Sequence, residues 1–117
     1  MLTASAVLAG IVAALHLYFL VLEMFLWTTP YGLKTFKRTL AEQESSKVLA
    51  ANQGLYNGFL VAGLGWSIAS GDLAVRGFFL GCVVVAGLYG AATVGRSILF
   101  AQAIPGALAL AITLAAR

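Results

Sequence analysis

The run FFLGCVVVAGLYGAA, from Phe78 to Ala92, carries no charge and no alternation of apolar with polar residues. A strand facing lipid on one side and a lumen on the other reads with a period of two, so this run excludes a transmembrane β-barrel and leaves helix. Three further apolar stretches repeat the pattern, and the four cover approximately residues 3–28, 48–69, 74–94 and 97–115. Each is close to the ~20 residues an α-helix needs to cross the hydrocarbon core of a bilayer. The expected fold is all-α: an integral membrane four-helix bundle forming one transmembrane domain over residues 1–117. Composition agrees, with 62% of residues hydrophobic and 9% charged, where a soluble domain has about a quarter of its residues charged.

The N-terminal MLTASAVLAG has no basic residue, and its apolar run continues to Trp27. That exceeds the ~7 to 15 residues of a signal-peptide core, so the first segment is expected to be a retained span. The first connection, TTPYGLKTFKRTLAEQESSK, is long and polar, while SGDL and VGRS are tight turns that hold antiparallel neighbours. Within it Leu33, Phe36 and Leu40 recur at helical spacing opposite Lys34, Lys37 and Arg38. This pattern predicts a short amphipathic cytoplasmic helix over approximately 33–46, lying on the membrane surface. A solvated loop with incidental apolar residues is the plainer alternative. Lys34, Lys37, Arg38, Lys47 and Arg96 fall on one side of the four spans, Arg76 and Arg117 on the other. By the positive-inside rule the long connection is cytoplasmic and both termini are outside.

Several function classes drop out. Cys82 is the single cysteine and lies in an apolar run, so neither an internal disulfide nor a cysteine metal cluster can form. One histidine, His16, cannot build a multi-histidine site, and no metal or cofactor is expected. The net charge of +3 speaks to topology and lipid headgroups, with no nucleic-acid-binding footprint.

What needs explaining is HLYFLVLEMFLW, residues 16 to 27, where Glu23 stands inside an apolar span. A charge at the centre of a membrane helix costs about 2.5 to 3.5 kcal/mol on insertion scales, so such a group is expected to have partners or a cavity. Counting rise per residue from the cytoplasmic end brings Asn52 and Gln53 of the second span to a similar depth, with Tyr56 and Asn57 a turn deeper. Tyr89 and Thr93 of the third span, and Gln102 of the fourth, approach the same layer. His16 lies seven residues before Glu23, hence on the same helix face but about 10 Å away along the axis. The candidate ligand-binding or polar-network residues are therefore His16, Glu23, Asn52, Gln53, Tyr56, Asn57, Tyr89 and Gln102. No catalytic residue is assigned. Each also has a structural reading: Glu23 as a hydrogen-bond hub between helices, His16 as a satisfied core histidine, Trp27 and Trp66 as interfacial anchors. The many glycines of the second and third spans read as packing residues, and Pro105 is expected to kink the last span or open its hydrogen bonding.

The two motifs HLYFLVLEMFLW and NQGLYNGFLVAGLGW together resemble the signature of a bacterial family of small integral membrane proteins of unknown function. The resemblance covers essentially the whole chain and implies a length of about 120 residues, four spans and a bacterial inner (plasma) membrane location. It points to His16, Tyr18, Glu23, Asn52, Gln53, Gly54, Tyr56, Asn57 and Gly58, and carries no activity with it. Physics supplies the hypotheses. The first is an intramembrane binder that grips the polar end of a membrane lipid or small amphipathic molecule while apolar walls hold its body. The second is a proton-coupled transporter, which four short helices would support only as an oligomer such as a homodimer. Small multidrug-resistance transporters are similar in size and in a first-span glutamate, but differ in the long first connection. A membrane-embedded acid/base isomerase, similar to the four-helix sterol isomerases, or an accessory subunit completes the set.

Overall fold

Short capping sequences decide where the apolar runs of this chain begin and stop as helices. A computed structural model describes residues Met1–Arg117. The chain is all-α, without strands: α1 Leu2–Met24, α2 Pro30–Phe36, α3 Leu40–Ser70, α4 Leu73–Thr93, a π-helical turn Leu99–Ala103, and α5 Ile104–Ala115. Two helices, α1 and α4, with 23 and 21 residues, are long and apolar enough to cross a membrane.

The first connection differs from the helix expected over 33–46. Lys37 takes a left-handed conformation (φ 54°, ψ 48°) and ends α2. The Arg38 N–H donates to the Leu33 carbonyl at 3.1 Å and the Lys37 N–H to the Lys34 carbonyl at 3.4 Å, the Schellman pattern of a helix stop. Thr39 then starts a new helix. Its Oγ1 accepts from the Glu42 N–H at 3.2 Å, and Glu42 Oε1 accepts from the Thr39 N–H at 3.0 Å, a reciprocal capping box. The residues from Leu40 on therefore belong to α3, whose 31 residues extend about 46 Å.

By internal contacts the chain divides into two compact units, Met1–Leu15 with Leu60–Arg117, and His16–Phe59. The first is built on a small apolar core of Ala9, Val12, Leu64, Leu80, Val83 and Ala109. Close helix approach there depends on glycine. A Cβ on Gly87 would lie 2.6 Å from the Ala103 backbone nitrogen, and one on Gly106 2.7 Å from Val83 Cγ1. The opening of hydrogen bonding expected from Pro105 is seen just before it, where the Ile104 N–H reaches back five residues to the Leu99 carbonyl. Proline lacks an N–H and crowds the carbonyl four residues before it, and a π-turn accommodates the mismatch.

This unit also seals in a polar cluster. Arg76, counted above as a topology-setting charge, is 3% exposed. Its Nη1 donates to Ser5 Oγ at 2.9 Å, its Nε to Ser67 Oγ at 3.3 Å and its Nη2 to the Ser67 carbonyl at 3.1 Å. Ser5 Oγ and Thr113 Oγ1 share a hydrogen bond of 2.6 Å. Ser67 and Thr113 stand in the last turns of α3 and α5. The C-terminal ends of α3 and α5 meet the first turns of α1 and α4 at this cluster, and Asp72, four residues before Arg76, is engaged in capping α4 through the Ala74 and Val75 N–H groups.

Candidate functional site

The site in HLYFLVLEMFLW is best approached from the turn that follows it. Past Met24 the chain coils on: the Val21 carbonyl accepts from Phe25 at 3.0 Å and from Leu26 at 3.1 Å. Thr29 caps α2, its Oγ1 accepting from the Gly32 N–H at 3.3 Å and donating to the Leu26 carbonyl at 2.7 Å, with Pro30 in the first turn where its missing N–H costs nothing. Gly32 is obligatory here, because a Cβ would overlap the Leu26 carbonyl oxygen and stand 2.7 Å from that of Trp27. Buried Gln43 donates through Nε2 to the Trp27 carbonyl at 3.0 Å, and Trp27 Nε1 donates to Ser46 Oγ at 3.1 Å. The Trp27 and Phe36 rings pack at 4.8 Å between centroids. These bonds tie the turn and α2 to the first two turns of α3.

The same unit brings α1 against α3 at Gly54 and Gly58, spaced four apart in the manner of close helix crossings. A Cβ on Gly54 would overlap Met24 Cγ and come within 3.3 Å of both Glu23 Cβ and the Leu20 carbonyl; one on Gly58 would meet Leu20 Cδ1 at 3.1 Å. At that crossing Asn57 Nδ2 donates to Glu23 Oε1 at 2.5 Å, both side chains being half-buried. Only one carboxylate oxygen is used. Glu23 Oε2 and Asn57 Oδ1 are left to offer an acceptor pair, or a donor and an acceptor if the carboxyl is protonated.

The other residues singled out in the sequence fall as follows. His16 is fully buried, its ring edge-on to Phe19 at 5.3 Å. Asn52, Gln53 and Tyr56 are exposed on α3, Tyr56 touching Phe59 edge-on at 5.8 Å. Tyr89 and Gln102 belong to the unit that holds Leu60–Arg117; Tyr89 is exposed on α4 and Gln102 is half-buried in the π-turn. No three His, Cys, Asp or Glu side chains gather into a group able to hold a metal. Of the candidates, then, Glu23 and Asn57 are joined directly.

Sequence reasoning passed over three features. Tyr18 and Tyr31 share a hydrogen bond between their hydroxyls. Gln43 and Ser46, three apart on one face of α3, clamp Trp27. Thr39 and Glu42 are visible in the sequence as T-x-x-E ahead of a long run, the signature of a capping box. At that box the Thr39 backbone N–H, and then its hydroxyl, hold the exposed Glu42 carboxyl below the ordinary glutamate range.

Comparison with known proteins places these residues in a family. An uncharacterised protein of Lactococcus lactis subsp. lactis (strain IL1403), YpaA, is 31% identical over 102 residues, which cover 84% of this chain and 86% of that protein. No solved structure matches. A family model described as protein of unknown function (DUF1304) matches residues 10–114, a span that includes Glu23, Asn57 and both helix-crossing glycines, and the chain belongs to that family.

Proposed function

We propose that this chain is a small integral membrane protein that crosses the bilayer four times and binds the polar end of a lipid-like or small amphipathic molecule at Glu23 and Asn57. The observation that carries the binding reading is the half-used carboxylate: Glu23 Oε1 takes the Asn57 amide while Oε2 stays open. A purely structural hub would spend both oxygens, because a carboxylate in an apolar span is costly for every lone pair left unmatched. Gln53, exposed one turn before Asn57 on the same side of α3, would extend the polar contacts of a bound headgroup.

The membrane reading is supported by where apolar surface lies. The span-length windows of α1 and α4 are 28% and 22% buried, so most of two strongly apolar helices faces outward, which water would not tolerate and lipid would. The α3 run and Leu99–Ala115 supply the remaining two crossings. The long first connection lies in the cytoplasm of a bacterial cell, and both termini outside. Retention of the protein in the membrane pellet after alkaline carbonate washing tests the span reading; release into the supernatant would end it. The site itself is tested by measuring how a panel of amphiphiles shifts the melting temperature of the purified protein. A ligand that stabilises the native chain should lose its effect in Glu23→Gln and in Asn57→Ala, and an undiminished shift in both variants would remove the site from consideration.

A further inference from the structure

The α2 helix and its stop present a second surface. Lys34, Lys37 and Arg38 are all exposed, and no acidic residue falls between Pro30 and Arg38. The nearest carboxylates are Glu42, held by Thr39 and attracted to Arg38, and Glu44, exposed on α3 beside Lys47. Tyr31 and Phe36, 50% and 37% exposed, accompany the cations on the same short helix. We propose that this surface binds the anionic headgroups of phospholipids at the membrane surface next to α1.

Three observations support that occupant. First, the cations are presented by a fixed element: α2 is held by the Thr29 cap, by the close approach at Gly32 and by the Trp27–Phe36 contact. Second, Lys37 occupies the left-handed position of a helix stop, where glycine would sit with less strain. The turn itself is made by backbone atoms, so the lysine side chain contributes charge and nothing to the turn. One cation near the end of α2 would suffice to complement the helix dipole; three exceed that need. Third, the cluster follows a span-length apolar helix and is flanked by exposed aromatic rings. Rings of this kind belong at the headgroup level, and juxtamembrane cations there gain roughly fivefold in affinity each for an anionic surface. That setting selects a lipid headgroup over a soluble polyanion. The inference rests on α1 being a span and is independent of any ligand at Glu23.

The test uses Trp27, beside Phe36, as its reporter in a Trp66→Phe background reconstituted into bilayers. Quenching by brominated phosphatidylglycerol is compared with quenching by brominated phosphatidylcholine. The expected result is preference for the anionic lipid by about a hundredfold, weakened several-fold by 0.5 M salt. Lys37→Gly should lower the preference about fivefold while leaving the melting temperature unchanged or raised, which separates lost charge from lost fold. The triple variant K34Q/K37G/R38Q should bring the two lipids level. Equal quenching by both lipids in the native chain, or preference undiminished in the triple variant, would overturn the proposal. Displacement by millimolar inorganic phosphate would also overturn it, by assigning the cluster to a free anion.

Discussion

The two compact units each hold a polar cluster, and the clusters are finished to different degrees. Around Arg76 the hydrogen bonds close on themselves: guanidinium to Ser5 and Ser67, and Ser5 to Thr113. Around Glu23 one oxygen meets Asn57 and the other has no protein donor. A closed cluster fixes helix ends in register. An open one keeps hydrogen-bonding capacity for something that arrives, and this contrast is why the binding proposal is placed at Glu23 and not at the more deeply buried arginine.

The contrast can be broken first at Arg76. Arg76→Ala strips three hydrogen bonds at once, leaving Ser5 with Thr113 alone and removing the guanidinium from Ser67, which should cost about 3 kcal/mol. Denaturation of the detergent-purified protein followed by circular dichroism measures it. If the variant melts with the native chain, the cluster is not the lock described here.

Glycine substitutions sharpen the comparison next. Gly87→Ala drives a Cβ into the Ala103 backbone, which cannot step aside, and should cost about 2 kcal/mol. Gly54→Ala meets chiefly the Met24 side chain, which can move, so about 1 kcal/mol is expected. Gly65, with open space around its added Cβ, should stay within about 0.5 kcal/mol on replacement by alanine. A reversed order in thermal melts would contradict the helix crossings assigned to each unit.

The smallest effect is expected at the α3 cap. Glu42 is held below its unfolded value of about 4.3 by Thr39. Its contribution is therefore present above that value and is lost as the pH falls through the folded one. Hydrogen exchange should show amide protection at the first turn of α3 declining below about pH 4, whereas Glu42→Gln should show no such decline. A pH-independent first turn in the native chain would remove the carboxylate from the cap.

How much of this was legible in the residues depends on the range over which each signal acts. Helix as the sole regular structure, and the apolar runs of α1 and α4, follow from uninterrupted hydropathy, a property of each segment alone. The break at Lys37 was not legible, because the periodicity of Leu33, Phe36 and Leu40 runs straight through it and a lysine announces no left-handed turn. The capping box at Thr39 and Glu42 was available and would have put the start of α3 at Leu40. Glu23's need for an amide from the next long helix could be read from depth. Which amide answers it depends on where Gly54 lets the helices cross, and that geometry favours Asn57. Arg76 escaped because Ser5 and Ser67 are ordinary residues, Ser5 lying 71 positions away, and an arginine at a helix start reads equally well as a surface charge.

The central claim is that the open side of the Glu23–Asn57 pair holds an amphipathic molecule. Native mass spectrometry of protein purified in mild detergent, alongside Glu23→Gln, tests it most directly. The expected result is a lipid-sized adduct at one copy per chain in the native protein, lost from Glu23→Gln while the helical content of that variant stays the same. An adduct held equally by both proteins, or by neither, would make the pair a structural contact between α1 and α3 and nothing more.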